Sequence, residues 1–389
     1  MRGQFAVFFL TLMLSIAAAG MIHAQSDVTN IEVPQVQTAG MPLAGTIDNH
    51  LIVYDGFTNP TVIDLPGIVR GYNWNAAANA LAILVSAGAG SAGNGLEIWV
   101  SYLENGRTFR LDTGAVEGFT PIFDADGFVI YVGEGENRVL DPAVPYMASM
   151  MRIEAQDWAT AEQIGAFELT LECDGGGGMG AAAQYERETG FLGSAMMLQD
   201  TPYGILHSRT CGGMGLALFN PETGDDVAVE GGESLIRAAL SPDGETLYAI
   251  RWTFNPPQHD HALVRVNLAD RTIDTIETAN KPDQLAVAPD GMVIYSSRTA
   301  RDDGGYSTAI HRLNPDTGEE STLLTSDEWF GVARLTAPET FYMLFSAIPN
   351  DGVDEPPAGV YLLNMEIDEP LQPIVMGLGL FSLTPMGNG

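Results

Sequence analysis

The sequence has little positive charge and no recognisable catalytic signature. Of its 389 residues, 17 are basic and 50 are acidic, the formal net charge is -33, and Lys281 is the single lysine. Such a surface repels phosphate backbones and anionic membranes, so nucleic acid is excluded as a partner. The chain has no Gly-x-Ser-x-Gly elbow and no phosphate-binding loop, so neither type of catalytic machinery is indicated. The acidity indicates solubility, or alternatively adaptation to salt or bound divalent cations.

The N-terminus is typical of a secretory signal peptide. Arg2 precedes the apolar stretch 5–19, and Ile22-His23-Ala24 offers a cleavage site, so residues 1–24 are predicted to be removed. The alternative is an uncleaved anchor, but a membrane span needs about 20 apolar residues. No cysteine follows to carry a lipid. We expect a secreted or cell-envelope protein, periplasmic or extracellular, without membrane insertion after cleavage. Residues 25–49 are predicted to be a linker or early strand material.

A turn motif recurs at a nearly constant interval in the second half of the chain. Ser-Pro-Asp-Gly at 241–244 and Ala-Pro-Asp-Gly at 288–291 each follow an apolar run, and Pro338 and Pro385 continue the register. The four prolines are 47, 49 and 47 positions apart. A period of this size indicates an array of supersecondary units.

Each unit is predicted to be a four-stranded antiparallel sheet. In residues 233–280, four short runs rich in strand-forming residues are separated by turn residues, and no run has helical periodicity. Counting equivalent turns back to residue 76 gives seven units, although six or eight are possible because the third unit, with its turn placed near 186–190, carries insertions. Residues 378–387 supply only a first strand, and residues 51–65 supply only third and fourth strands. The two ends therefore complete each other, which predicts an all-β fold over residues 50–389: a β-propeller of seven four-stranded blades, closed by pairing of the N- and C-terminal strands.

The repeat resembles those of the TolB-like and WD-like β-propellers. In these families the first hairpin often consists of an apolar run, Ser-Pro-Asp-Gly and a second apolar run, as at 235–250 here. The tryptophan-aspartate signature of the WD repeats is absent. The resemblance implies the fold. It also implies that relatives often serve as subunits or recognition parts of envelope complexes, but it implies no particular activity.

The two cysteines are predicted to form a disulfide. Cys173 lies in the loop that enters the third unit, and Cys211 lies between the second and third strands of that unit. Both loop types open on the same face of a propeller, and an exported protein meets an oxidising compartment. A pair of free thiols or a metal site is the alternative.

One face of the predicted propeller carries the long loops, and rigid scaffolds usually bind their ligands through such loops. We call it the long-loop face. The opposite face, which we call the short-turn face, has turns such as that at 104–107. The long loops are 86–95, 133–146, 199–212, 253–261, 298–307 and 347–357.

Two groups of residues could bind metal. His259 and His261 point to the same side of an extended segment and could chelate together. Asp351 and Asp354 lie in a dense acidic loop, where Ca²⁺ is possible. The alternative for both groups is a solvated loop, and no other cofactor is predicted.

A ligand site at the channel mouth is a further hypothesis. Arg70, Arg237 and Arg334 lie near the entrances of first strands, and Asp283 occupies the matching place in another unit. Arginines near one axis could bind an anion bidentately. Strand alternation separates Arg237 from the other two, however, and pairing with the abundant carboxylates is the alternative.

The aromatic residues are predicted to pack within the blades rather than to form a sugar platform. The residues concerned are Tyr72, Trp74, Trp99, Trp158, Trp252 and Trp329.

Together these patterns indicate an exported, monomeric, non-catalytic binding or protein-interaction module that acts through its long-loop face on a protein or a small ligand. The alternative is a propeller hydrolase, such as a lactonase-like enzyme, with its site at the channel mouth. A purely structural surface protein is a third reading.

Overall fold

The computed structural model describes most of the compact unit Gln35–Gly389. The predicted signal peptide lies outside the described residues. Within them, no helix has the length and apolar character needed to cross a bilayer. The described ranges are 43–47, 50–54, 60–75, 77–87, 96–116, 118–135, 145–170, 197–209, 215–255, 258–302, 306–326, 332–336, 342–348, 359–364, 372–376 and 382–385.

The described residues form 28 strands and one short 3-10 helix, Gly232–Ser234. The strands are β1 (Leu43–Ile47), β2 (His50–Tyr54), β3 (Thr61–Asp64), β4 (Gly67–Asn75), β5 (Ala80–Ala87), β6 (Leu96–Tyr102), β7 (Arg107–Thr113), β8 (Ile122–Phe123), β9 (Phe128–Gly133), β10 (Tyr146–Glu154), β11 (Glu162–Leu169), β12 (Leu198–Thr201), β13 (Gly204–His207), β14 (Ala217–Phe219), β15 (Asp226–Ala228), β16 (Leu235–Leu240), β17 (Thr246–Asn255), β18 (Gln258–Asn267), β19 (Ile273–Ile276), β20 (Gln284–Val287), β21 (Val293–Ala300), β22 (Tyr306–Leu313), β23 (Glu320–Ser326), β24 (Val332–Thr336), β25 (Tyr342–Ile348), β26 (Gly359–Asn364), β27 (Gln372–Met376) and β28 (Ser382–Pro385).

These strands pair into seven four-stranded antiparallel sheets within the described part of the chain. Six sheets take four consecutive strands each, from β4–β7 to β24–β27. The first strands of successive sheets lie next to each other: β4 beside β8, β8 beside β12, β16 beside β20 and β20 beside β24. Sheets that meet through their first strands are consistent with the predicted β-propeller.

The remaining sheet joins the two ends of the described chain. Its order is β28-β1-β2-β3, and Leu43 pairs with Pro385. The predicted third and fourth strands within 51–65 are confirmed as β2 and β3. The missing second strand is β1, which lies inside the stretch 25–49 that the sequence predicts as linker or early strand material. The sheet therefore begins before residue 50, and the full burial of Leu43 and Ala44 explains why this segment is ordered as a strand.

The recurring turn has the predicted geometry in the two units where its sequence is clearest. The Gly244 amide donates to the Ser241 carbonyl at 2.9 Å, and the Gly291 amide donates to the Ala288 carbonyl at 2.9 Å. Both glycines have φ near +75°, at +71° and +81°. Residues with a Cβ rarely adopt a positive φ, because the Cβ clashes with the backbone there, and glycine is therefore favoured at this position of the turn.

The third unit differs from its prediction. The turn expected near 186–190 would place the first hairpin there, and those residues lie outside the described part of the chain. The hairpin is instead β12–β13, which turns at Pro202 and Tyr203. A Thr-Pro-Tyr-Gly sequence takes the place of Ser-Pro-Asp-Gly, so this turn lacks the aspartate by which the other turns are recognised in the sequence.

The core consists of apolar side chains between successive sheets. Phe119, Phe167 and Phe219 are almost completely buried, and they join the sheets β8–β11 and β12–β15 into one apolar cluster. The contact at Gly165 in β11 is especially close, since a Cβ there would lie 2.3 Å from the Phe219 ring.

Candidate functional site

The structure places the predicted anion-binding residues at first strands. Arg70 lies in β4, Arg237 in β16 and Arg334 in β24, while Asp283 directly precedes β20. Arg70 is exposed, Arg237 is half-buried, and the Arg334 side chain lies outside the described part of the structure. The strand positions therefore agree with the prediction, but each candidate belongs to a different sheet.

Bulges in two first strands remove the basis of the alternation argument. The register shifts between Val69 and Gly71, so Arg70 is the extra residue in β4. It also shifts between Leu235 and Arg237, where Ile236 is the extra residue. Because a bulge interrupts the period of two, counting parity along the sequence does not tell which side of the strand an arginine faces.

Arg237 and Asp283 meet where two neighbouring sheets join. The Arg237 Nε donates to the Asp283 backbone carbonyl at 3.1 Å. The Asp283 carboxylate is in turn bound by Arg298 of β21, with Nε at 2.9 Å from Oδ2 and Nη2 at 3.3 Å from Oδ1. Asp283 is buried to 8% exposure, so it supports both guanidinium groups from within the protein.

His261 lies in the same place, although the sequence predicts it only as a metal ligand. Its Nδ1 lies 3.1 Å from the Pro282 carbonyl, which can only accept a hydrogen bond. Nδ1 therefore donates, and in the neutral ring Nε2 carries the lone pair. Burial lowers the pKa of His261 below its ordinary value; Pro282 and the charge of Asp283 oppose this, and the charges of Arg237 and Lys281 add to it. The ring is consequently neutral at pH 7 and can accept a hydrogen bond or a proton at Nε2.

An exposed ion pair borders this group. Lys281 Nζ lies 3.0 Å from Asp260 Oδ1, and both side chains are more than 60% exposed. The hydrogen bond and charge of Lys281 lower the pKa of Asp260. Asp260 is thus ionised at neutral pH, and an anion approaching Lys281 would compete with it.

We call Arg237, His261, Lys281, Asp283 and Arg298 the junction site. It combines three cationic side chains and a neutral imidazole with one buried carboxylate, in a chain with only 17 basic residues. His261 lies within β18, near its start, and Lys281 and Asp283 lie between β19 and β20. The predicted long loop 253–261 is wrong, because β17 runs to Asn255 and β18 begins at Gln258. The β17–β18 connection and the β19–β20 connection leave the antiparallel sheet on the same side, here the long-loop face. The arrangement can bind an anion and accept a hydrogen bond from it.

The structure leaves the other predicted site residues apart or undescribed. His259 pairs with Phe254 through its backbone, but its side chain lies outside the described part. Asp351, Asp354, Cys173 and Cys211 lie outside the described residues as well. Within those residues, no group of three or more His, Cys, Asp or Glu side chains could hold a metal ion. The metal sites and the disulfide stay predictions.

Sequence reasoning also missed a buried serine–histidine–glutamate set. Ser297 Oγ lies 2.8 Å from His311 Nε2, and His311 Nδ1 lies 3.5 Å from Glu320 Oε1. Tyr295 stacks on the imidazole at 4.7 Å and donates to Glu320 at 2.7 Å. The order resembles a catalytic triad, but Ser297 is 4% exposed and His311 is 2% exposed. Ser297, His311 and Glu320 lie in β21, β22 and β23, so the set links three neighbouring strands inside the sheet β20–β23.

A second buried network holds the sheet β12–β15. His207 is completely buried, and its Nε2 lies 2.9 Å from Asp226 Oδ1. Arg209 donates to Asp226 Oδ2 from Nε at 3.1 Å and from Nη2 at 2.5 Å. Burial alone would raise the pKa of Asp226, but His207 and Arg209 together lower it below its ordinary value. The network joins β15 to the end of β13, next to the loop that carries Cys211.

The predicted packing of the aromatic residues is only partly correct. Tyr72, Trp74 and Trp99 pack against the apolar cluster around β1–β5, as predicted. Trp158 does not, because it is 94% exposed in the turn between β10 and β11. Its place in a hairpin turn, after Asp157, was the sequence signal for exposure.

Comparison with known proteins supports the fold. No protein-family model and no curated protein sequence matches the chain. Among solved structures, an oligogalacturonate lyase from Vibrio parahaemolyticus has a TM-score of 0.54 at 12% identity, covering 86% of this chain and 85% of that one. A putative 6-phosphogluconolactonase from Bacteroides fragilis has a TM-score of 0.51 at 12% identity, covering 89% and 99%.

TolB from Acinetobacter baumannii is also similar, with a TM-score of 0.41 at 13% identity over 74% of this chain. The match spans 64% of that TolB chain. The lyase and the putative lactonase are β-propeller proteins, and at 12% identity they support the fold and nothing finer.

Proposed function

We propose that this protein is an exported, monomeric, seven-bladed TolB-like β-propeller that binds small anionic ligands without catalysis, through the junction site on its long-loop face. The seven sheets are its blades, and the sheet β28-β1-β2-β3 closes the ring. Its place is the periplasm or the extracellular space. The observation that carries the proposal is the meeting of Arg237, His261 and Asp283 at the joint of two neighbouring sheets.

The ligand chemistry follows from the groups present. Arg237 and Arg298 are both oriented by Asp283, and a guanidinium fixed in this way matches a carboxylate. His261 adds an acceptor at Nε2 for a hydroxyl group. A ligand that carries a carboxylate and a neighbouring hydroxyl satisfies both, so we expect hydroxy acids and acidic sugars to bind.

A thermal-shift and calorimetric titration tests this. Galacturonate and gluconate are the probes, and neutral galactose is the matched control without a carboxylate. A ligand at 100 times its dissociation constant adds about 2.7 kcal/mol to the free energy of unfolding. We expect this gain from the acids only.

Variants locate the site. Arg237→Gln removes the cation and is expected to weaken binding of the acids at least about tenfold, which corresponds to about 1.4 kcal/mol. Arg251→Gln is the matched control, because Arg251 lies in the neighbouring strand β17 and its guanidinium binds Thr275 instead. Acids that fail to bind, or that bind Arg237→Gln as tightly as the unchanged protein, would refute the proposal.

The second candidate function is a lactonase-like hydrolase. The observation in its favour is the neutral His261, whose Nε2 could take a proton from a water molecule. Hydrolysis of a sugar lactone that disappears in His261→Gln, while acid binding persists, would favour the enzyme. Binding of the acid without turnover of the lactone favours the binding module.

A further inference from the structure

Trp158 is the most exposed large apolar side chain in the described part of the chain. It is 94% exposed, whereas Tyr203, another aromatic in a short turn, is 39% exposed. The Trp158 backbone also has φ +69°, in the left-handed region that a bulky residue disfavours. Neither packing nor backbone preference explains a tryptophan here. Strained, exposed aromatic residues of this kind point to a function.

The turn that carries Trp158 is held rigidly against the neighbouring sheet. The Tyr102 hydroxyl donates to the Ala155 carbonyl. Arg107 Nη2 donates to Asp157 Oδ2 at 3.1 Å. Both donors belong to the sheet β4–β7, so the turn is fixed on either side of Gln156. An indole presented by a fixed turn loses little conformational entropy when it binds.

The charges around Trp158 are mainly negative. Glu154, Asp157 and Glu162 lie within four residues of it, and Glu154 and Glu162 are exposed. Arg107 is paired with Asp157, and Arg152, which lies opposite Glu162 in the β10–β11 pair, is bound by Asp124 and Asp126. The whole chain carries a formal charge of -33. An indole face beside carboxylates attracts a cation through both the ring quadrupole and the local field.

We propose that Trp158 is a docking site for a cationic segment of a partner protein, with an arginine or lysine side chain stacked on the indole. The turn between third and fourth strands lies on the short-turn face, opposite the junction site. The protein thus has a second binding surface, independent of its small-ligand site. An apolar pocket would use the indole but gain nothing from the carboxylates, and a neutral sugar could donate hydrogen bonds to them but would not be attracted by their charge.

The test uses a fluorescein-labelled peptide, Gly-Arg-Gly-Arg-Gly-Arg amide, titrated with the purified full chain at 0.15 M salt. Its matched control replaces each arginine by citrulline, which keeps the shape and removes the charge. Trp158→Gly and Trp158→Asn both accept the left-handed backbone, so both are expected to fold. Tyr203→Asn removes the less exposed aromatic of another short turn and is the control variant.

We expect both Trp158 variants to bind the arginine peptide about two- to fivefold more weakly, the loss that corresponds to one exposed cation–π contact. Tyr203→Asn should bind like the unchanged protein, and the citrulline peptide should bind none of them. Equal binding by the Trp158 variants would mean diffuse attraction to the acidic surface and would overturn the proposal. Trp158-dependent binding of the citrulline peptide, or of neutral oligosaccharides, would overturn the cationic assignment.

Discussion

Replacing Asp226 by alanine should destabilise the protein strongly. Asp226 receives hydrogen bonds from the completely buried His207 and from Arg209, and its own side chain is 10% exposed. Truncation would remove the acceptor of the buried His207 Nε2 and leave the ring only its Nδ1 contact with the Ser208 carbonyl. Removing one partner of a buried charged pair costs about 3–5 kcal/mol. Because Arg209 is 28% exposed and can be hydrated, we expect a smaller loss of about 2–4 kcal/mol.

The pH dependence gives this prediction a second readout. The pKa of Asp226 is lowered in the folded state, so its contribution is fully present above the unfolded pKa. The contribution is lost as pH falls through the folded pKa. The difference in unfolding free energy between the unchanged protein and Asp226→Ala should therefore shrink below about pH 4.

Urea unfolding followed by circular dichroism measures both effects. Asp225→Ala is the matched control, since Asp225 is the adjacent carboxylate, is exposed, and binds only within its turn. A surface change of this kind is expected to alter stability by less than about 0.5 kcal/mol. If Asp226→Ala loses no more than Asp225→Ala at pH 7, the inferred stabilisation by the network is refuted.

Three further perturbations probe the fold. Gly165→Ala places a Cβ against the Phe219 ring and should lower the unfolding free energy by about 1–3 kcal/mol in the same assay, and an unchanged value would contradict this sheet contact. Burial lowers the pKa of His311, and the Glu320 charge opposes this. His311 therefore binds a proton more readily in the unfolded chain than in the folded protein, so the free energy of unfolding falls as the pH drops below about 6.5. His311→Gln should therefore flatten the fall in melting temperature between pH 7.5 and 5.5, and parallel curves would disprove it. Deleting residues 382–389 removes β28 and should speed proteolysis near residue 43, which an N-terminal fragment analysis detects.

Much of the fold could be predicted because its signal is local. A Ser-Pro-Asp-Gly turn needs glycine at positive φ, and that requirement is visible in the sequence at 244 and 291. The hairpin at Pro202 was missed because its turn has different residues. The segment of β1 was predicted only as linker or early strand material, because one of its two partners, β28, lies at the other end of the chain and is not visible from the local sequence.

The candidate site could be predicted only in part. Arg237, His261 and Asp283 were each identified, but the sequence assigned them to two unrelated sites. Their meeting depends on the packing of two sheets and on the bulge at Ile236, which alternation along one strand cannot reveal. Trp158 was assigned to packing because aromatic residues usually pack in strands, whereas this one occupies a turn.

The pairing of β1 with β28 also determines when folding can finish. Leu43 and Pro385 are 342 positions apart, so β1 waits for β28 to be synthesised before its sheet is complete. Such non-local pairing is slow because loop closure must precede it. Until then β1 has an unpaired edge, which can pair with another chain. A chain that lacks β28 would keep this edge of β1 open to such pairing.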